Sequence, residues 1–555
     1  MAPGPLGRRE FTRIMGVGVA RLALSPRWSP AAATPAGRGP KARPNVIMIN
    51  IDNHDRSVLG FAGNQFGSSP NIDRLYREGV YLANYHCASR CGPSRTALLT
   101  GRYHHRSGHI QTPDGRDIMG NPEIPTIGDL FRDAGYRTAM FGKWHVGKNY
   151  PYRPEDRGFD EVVTFFQGAL SKTGLRHTLR HNGQWEPFEG YRIDIWFNEL
   201  QKFIRKQRGR PFMAYLATWA THGGNFGPAR LSQKYRRKMD ALGEEGSSLF
   251  PDKTTQYNYA ELTAEIESID QNIGRLLGLL AELRLKDNTI IVYTSDGSGY
   301  RAPQAFLRKN RKSFLSRIPA IIYWPGGQLK PDTDLTELIA NIDIGPTLLD
   351  MCGIRPGKNV AFDGQSAYAL LRPKGTPWKK RVYIADHQSR NGIRTGYLMP
   401  LDRTTVYLPD GRSVTFSKGK AQRAYPKLEA EARKHWEEWW KDVTADFKPF
   451  HHVIVGTRHE NPMVVRHVYT RINEQKAKVK HYSFAIEFAV TGTYRFSGGR
   501  RSREGYLKID DRTYPGQFPM TLRVPAGKKM VIVSFDGQKR SGGLTIEWLA
   551  DEDSQ

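Results

Sequence analysis

The chain is short of cysteine, of acidic residues and of long apolar runs, and each shortage closes off a class of protein. Three cysteines in 555 residues, Cys87, Cys91 and Cys352, cannot staple a chain of this size. Stability therefore rests on a buried core and not on disulfides. Cys87 and Cys91 stand four apart with no Cys or His at zinc-finger spacing nearby, which argues against a structural zinc site. No apolar stretch reaches the roughly 18 residues that a spanning helix needs, so a polytopic membrane protein is excluded and no membrane span is expected. Acidic residues number 55 against 83 Lys and Arg, for a formal net charge of +28. Such a surplus attracts polyanions. Nucleic acid, anionic membranes and sulfated or phosphorylated substrates all fit, as does a uniformly basic surface with no specific partner. No interleaved aromatic and basic recognition motif is present, so nucleic acid is not an expected partner.

What is present suits a globular protein, with 39% hydrophobic and 25% charged residues. At about 150 residues per domain the length accommodates three or four domains, or one large domain with a smaller companion. Residues 1–44 hold eight Lys or Arg and one acidic residue amid Pro, Ala and Gly, which is poor material for a core. Arg8-Arg9-Glu10-Phe11, the apolar stretch from Ile14 to Ala20, broken by Arg21, and the small residues Ala31 to Ala33 resemble a twin-arginine export signal. That reading implies export, to the periplasm or the extracellular space; a disordered basic tail is the alternative. Residues 45–450 form the expected main domain. From 451 to 555 the period changes to two, with Phe484, Ile486 and Phe488, and again Val531, Val533 and Phe535, alternating with smaller or polar residues between Gly-rich and Pro-rich turns. A small antiparallel β-sheet or sandwich is expected there. Between the two, Lys427 to Val443 reads as a helix whose Trp436, Trp439 and Trp440 serve packing.

In the main domain, Asn45 to Ile51 and Thr289 to Thr294 are continuous apolar runs, read as buried parallel strands, and they end in Asp52-Asn53 and Ser295-Asp296-Gly297. An amphipathic helix precedes the second run, with Leu262, Ile266, Ile269, Ile273, Leu276, Leu280 and Leu283 at three- and four-residue steps. Further strands are expected at Thr138 to Phe141, Phe212 to Thr218 and Ala320 to Trp324. The fold class is α/β, a doubly wound, mostly parallel sheet, with a smaller C-terminal antiparallel β domain. In such sheets ligands bind beyond the carboxyl ends of the strands. Asp52, Asp296, Lys143 with His145, and His222 all stand at such ends. Two carboxylates with cations on neighbouring loops suggest a hard metal facing an anionic ligand, Ca²⁺ or Mg²⁺ in preference to zinc.

The most informative stretch is Cys91-Gly92-Pro93-Ser94-Arg95-Thr96-Ala97-Leu98-Leu99-Thr100-Gly101-Arg102. It resembles the sulfatase signature CxPSRxxxLTGR, and further blocks match in the family's order: Pro44 to Asp52, Gly135 to Thr138, Gly142 to His145, Tyr293 to Gly297, and Asp343 to Ile354. The chain is thus similar to the formylglycine-dependent sulfatases of the alkaline phosphatase superfamily. The resemblance implies that Cys91 is oxidised to formylglycine by a formylglycine-generating enzyme, and that its hydrate takes up sulfate and then eliminates it. A buried inert thiol is the alternative for Cys91. Carried over by position, Asp52, Asn53, Cys91 and Asp296 would hold Ca²⁺, Arg95 would steady the metal-bound alkoxide and the diol, and Lys143 would bind sulfate. His145 would take the second diol proton, and one of His222 and Lys309 would protonate the leaving alcohol.

Two positions depart from the pattern: Asn53 where the family usually has a second Asp, and Gly297 where it has Asn or His. The expected consequence is weaker metal binding, unless Ser298, water or a backbone carbonyl fills the place. His104 and His105 read as packing or capping residues near the signature helix, and the basic stretch Arg301 to Arg317 as either a solvated loop or a sulfate-binding one. The resulting expectation is a sulfuric ester hydrolase acting on a sulfated small molecule or polysaccharide, an aryl sulfate included. The rivals are a phosphonate or phosphodiester hydrolase of the same superfamily and a degenerate sulfatase fold that only binds polyanions. Neither oligomeric state nor the individual substrate is legible in the sequence.

Overall fold

The computed structural model of the protein describes residues 43–549 apart from several segments, chief among them 110–120, 166–174, 298–315, 387–403, 466–479 and 536–543. The leader read at 1–44, save its last two residues, lies outside the described residues. So do Ser298, Lys309 and nearly all of the basic stretch from 301 to 317.

In chain order the elements that frame the site are β1 (Asn45–Ile51), α1 (Pro70–Glu78), β2 (Val80–Leu82), α2 (Cys91–Thr100), β3 (Arg137–Lys143), β4 (Glu161–Phe165), β5 (Arg176–His181), β6 (Gln184–Glu189), α3 (Arg192–Lys206), β7 (Phe212–Ala217), α4 (Lys253–Glu282), β8 (Thr289–Ser295), β9 (Ala320–Tyr323) and β10 (Thr333–Leu335). The ten strands make one sheet in the order β10-β2-β9-β8-β1-β7-β3-β4-β5-β6. Its central strands β8, β1, β7, β3 and β4 run parallel, as expected of a doubly wound fold. β9 runs antiparallel to both β8 and β2, and the β5–β6 hairpin extends the far edge antiparallel.

Both faces of the sheet are covered, which is why β1 and β8 are buried at every position. Alternation along β1 sends Ile47, Ile49 and Ile51 to one core, with α3 and α4, and Val46 and Met48 to the other, with Leu98 and Leu99 of α2. The apolar stripe of α4 is buried at Leu262, Ile266, Ile269, Ile273, Leu276 and Leu280, with Leu283 half-buried just beyond. α4 also closes α1: Asp270 accepts hydrogen bonds from the backbone N–H groups of Asn71 and Ile72 and from Asn71 Nδ2, each at 2.8 Å. A carboxylate from another helix thereby satisfies donors that the first turn of α1 leaves open.

Beyond the main sheet, Tyr383–Asp386, Thr404–Tyr407, Ser413–Ser417 and Lys420–Gln422 form a four-stranded antiparallel sheet. It is covered by α5 (Pro426–Val443), whose Trp436 is buried against Val406, Val414 and Phe416 with Trp439 and Trp440 packed alongside. The tryptophans do serve packing. From His452 onward there are two sheets, of five and four strands, that share one core: Ile486, Phe488, Leu507 and Val531 from the first, and Tyr494, Phe496, Met520 and Ile546 from the second. One pair departs from the antiparallel rule. His452–Val455 runs parallel to Lys480–Phe488, because the chain between them crosses through Met463–Val465 in the other sheet. Among the described residues no helix is long and apolar enough to cross a membrane.

Candidate active site

The parallel strands deliver their chemistry at one edge. Ile51 of β1 lies opposite Ser295 of β8, so Asp52 and Asp296 leave the sheet side by side, and the Asp296 N–H donates to the Ile51 carbonyl at 3.2 Å. Lys143 is the last residue of β3, and the chain beyond β7 returns to β1. There Thr221 donates its N–H (2.7 Å) and its hydroxyl (3.0 Å) to the Asp52 carbonyl, and the hydroxyl also reaches the Asn53 carbonyl at 3.1 Å. α2 brings the signature in from the side, with Cys91 as its first residue and Arg95 one turn later.

These groups form one buried network. Cys91 Sγ donates to Asp52 Oδ1 at 3.4 Å, while Lys143 Nζ is bonded to Asp52 Oδ2. Arg95 Nε donates to Asp296 Oδ2 and its Nη1 to the Lys143 carbonyl, both at 2.7 Å; its Nη2 stands 3.9 Å from Asp52 Oδ2. Asp296 Oδ1 accepts the Asn53 N–H at 3.0 Å. The ring of His222 closes the group, since one ligand atom each from Asp52, Cys91 and His222 lie within 4.8 Å of one another. Asn53 and His145 both adopt the left-handed region, at φ of 56° and 61°. That conformation costs a non-glycine residue on the order of 1 kcal/mol and is characteristic of functional loops.

Charge is distributed unevenly here. Burial pushes the Asp52 carboxyl up, but Lys143, then His222 and Arg95, outweigh it and hold it below the ordinary carboxylate range. At Asp296 burial prevails over Arg95, with the like charge of Asp52 adding to it, so this carboxyl is raised. Burial and then Asp52 push the Cys91 thiol far above its usual value despite Lys143 and Arg95. At Lys143 burial pulls the amine down, but the attraction of Asp52 more than offsets it and holds the group above its usual value.

Of the expected site residues, Asp52, Cys91, Arg95, Lys143, His222 and Asp296 thus converge. Asn53 adjoins them through its backbone, His145 stands two residues past Lys143, and Lys309 lies outside the described residues. His104 and His105 are buried as expected, His105 pairing with Asp386 at 2.9 Å. Three supporting residues went unforeseen: Asn50 and Tyr215, whose Nδ2 and hydroxyl bond at 2.8 Å, and Thr221. The Tyr215 hydroxyl also accepts from Arg95 at 3.4 Å. A polar residue inside an apolar buried strand, as at Asn50 and Tyr215, is the signal that marks them.

Two buried carboxylates and an amide are the hard oxygen donors that Ca²⁺ and Mg²⁺ take, so the residues fit such an ion. Among the described residues the ligand atoms that gather within 4.8 Å belong to Asp52, Cys91 and His222, while Asp52 and Asp296 each have both oxygens engaged by neighbouring donors. Gly297 is close to Asn53: a Cβ built there would lie 3.1 Å from Asn53 Oδ1.

Residues 44–354 match the family described as Sulfatase. Among curated relatives, N-acetylgalactosamine-6-sulfatase of Sus scrofa is 28% identical over 397 residues, covering 62% of this chain and 70% of that protein. N-acetylglucosamine-6-O-sulfatase of Bacteroides thetaiotaomicron is 25% identical over 498 residues, covering 72% and 86%. Among solved structures, Ps i-CgsB in complex with k-i-k-neocarrahexaose superposes with a TM-score of 0.59 at 21% identity, covering 73% of this chain and 94% of that one. With this fold, this cluster at the strand ends and a family match over more than half its length, the chain belongs to the sulfatase family and is a sulfate ester hydrolase.

Proposed function

We propose that the protein removes sulfate from an anionic sulfated carbohydrate, or from an aryl sulfate, through a formylglycine made from Cys91. The observation that carries this reading is the setting of Cys91, whose thiol donates to Asp52 at the head of α2 beside Lys143 and Arg95. A thiol raised by burial and by a neighbouring carboxylate ionises poorly and is a weak nucleophile. The same place suits an oxygen nucleophile flanked by cations. As a hydrated aldehyde, position 91 would supply one hydroxyl to attack sulfur and a second whose deprotonation releases sulfate, leaving no stable ester behind.

Around it, Lys143 would bind the sulfate oxygens and balance the charge that gathers on them in the transition state, and Arg95 would steady the alkoxide and the diol at position 91. His222, with Lys309 as the alternative, would give a proton to the alcohol oxygen as the S–O bond breaks, and His145 would take the proton of the second hydroxyl. Asp52, Asn53 and Asp296 would hold a Ca²⁺ or Mg²⁺ ion, which would polarise the sulfate. The formal charge of +28 favours a polyanionic substrate, and the relatives named for N-acetylhexosamine 6-sulfates support a carbohydrate.

Two measurements test this. Mass analysis of the Cys91 peptide from the native host should show aldehyde or hydrate in place of thiol, and an active preparation with unmodified cysteine throughout would sink the mechanism. On a panel of sulfate monoesters and phosphate diesters, turnover should favour the sulfates. Turnover confined to the diesters would replace the reading with its phosphodiesterase rival.

A further inference from the structure

His109 lies beyond the signature and belongs to none of the roles above, yet it touches the turn that carries the nucleophile. Its ring is buried, and Nδ1 is hydrogen-bonded to Thr96 Oγ1 at 2.6 Å, inside α2. The opposite edge of the ring sits over Gly92, the residue after Cys91. A Cβ built at Gly92 would stand 2.5 Å from His109 Nε2 and 2.8 Å from Cε1, closer than real Cβ contacts come. The same point is 3.2 Å from the backbone carbonyl oxygen of His145. The imidazole thus spans one helical turn, from position 96 to position 92, and the open side of Gly92, next to the nucleophile, is close to both the ring and the His145 carbonyl.

The ring is held from behind. The His109 N–H donates to the His104 carbonyl at 3.1 Å, and the His109 carbonyl is bonded to His104 Nδ1 at 2.8 Å. His105 is anchored on Asp386 at 2.9 Å, and Arg106 Nε on Asp363 at 2.9 Å. These bonds hold His109 from behind while its ring fills a place that only glycine leaves open. The geometry points to His109 as a positioning residue that fixes the first turn of α2 against the His145 loop, so that the group at position 91 faces its partners. This inference rests on Cys91 being the source of the nucleophile. A misplacement of about 1 Å at a reacting group costs on the order of a hundredfold in rate, so a ring that sets this turn acts through kcat.

Four variants test it: Gly92→Ala, His109→Val, the double variant, and His109→Asn, which keeps a polar atom near Nδ1. Each is assayed on a small aryl sulfate, with kcat expressed per modified position 91 from peptide mass analysis, so that a maturation defect is not mistaken for misplacement. Gly92→Ala should lower both melting temperature and activity. The double variant should recover the melting temperature, because the methyl enters the space that the ring vacated. His109→Val and the double variant should both keep kcat about tenfold or more below wild type with KM within twofold, and His109→Asn should regain part of it. Wild-type kcat in the double variant would make the ring a mere space-filler and overturn the inference. If His109→Val fails to fold, His109→Asn and Gly92→Ala/His109→Asn carry the same comparison. Cys91→Ala separates the two claims: retained turnover there refutes the nucleophile, whereas a dead Cys91→Ala beside wild-type-like His109 variants refutes only the positioning role.

Discussion

Asp52 and Asp296 leave neighbouring parallel strands at the same level, and both are buried, yet they are held by different partners. Asp52 has Lys143 and the Cys91 thiol on its two oxygens, with Arg95 at 3.9 Å; Asp296 has Arg95 Nε and the backbone N–H of Asn53. The sheet accounts for the likeness and the elements beside it for the difference, since β3, one strand beyond β7, ends in Lys143, whose side chain reaches Asp52, while α2 directs Arg95 toward Asp296 at the end of β8. One carboxyl is thereby drawn below the usual range and the other raised above it. Two aspartates that look equivalent in the sequence have unequal environments.

The largest expected effect falls on the Asp52 side. Cys91→Ala removes one partner of Asp52 and none of Asp296, and it should abolish turnover, by on the order of 10⁴-fold or more, with the melting temperature little changed. Assay of purified, folded protein checks both halves. Next, the two carboxylates can be set against each other. Asp296→Asn strands Arg95, which is wholly buried and cannot release its proton, whereas Asp52→Asn strands Lys143, which can. Urea unfolding should therefore show a loss of about 3–5 kcal/mol for Asp296→Asn and a smaller loss for Asp52→Asn. Equal losses would mean that the asymmetry has no energetic content.

Asp270 is the control, a buried carboxylate with hydrogen bonds from α1 in place of a contacting cation. Burial raises it to about 6, against the hydrogen bonds from Ile72 and Asn71 that pull it down. Since the folded state holds this proton more tightly than the unfolded chain, whose value is near 3.8, the contribution is complete below that pH and is lost as pH rises through 6. Relative to Asp270→Asn, the wild type should lose up to about 3 kcal/mol of stability between pH 4 and 7. A flat difference would show that hydrogen bonds alone compensate a buried carboxylate here.

Much of the site was legible because it lies where apolar runs stop. The runs ending in Asp52 and Asp296 are unbroken, and the stripe on α4 implied a cover for the sheet between them. Strand direction was less accessible: nothing in Ala320 to Tyr323 distinguishes a parallel strand from the antiparallel one that β9 is, because its partners decide it. The β5–β6 hairpin carries its own mark in Asn182-Gly183, both at positive φ, but its strands are too polar to stand out as apolar runs. His109 over Gly92 is a tertiary contact between residues seventeen apart, which no spacing rule encodes.

The smallest effect concerns the residues that follow the two aspartates, where the comparison is sharpest. Asn53 offers a neutral oxygen and Gly297 no side chain, so Asp52 and Asp296 supply the two negative charges among these four positions. Fewer anionic ligands weaken the attraction for a hard divalent cation. In a Cys91→Ala background, where turnover cannot confuse the readout, Asn53→Asp should tighten Ca²⁺ binding about tenfold by calorimetry, or 1.4 kcal/mol. It should also lower stability without the ion, because a third carboxylate then joins a buried cluster. Gly297→Asn alone should tighten nothing, since its Cβ would stand 3.1 Å from Asn53 Oδ1 and the two side chains would contend for one space. The pair together should bind more tightly than Asn53→Asp alone only if the new residue at 297 displaces the one at 53 toward the ion. If neither variant changes Ca²⁺ affinity, the two strand ends already bind metal as well as their neighbours allow, and Asn53 and Gly297 are a matched pair.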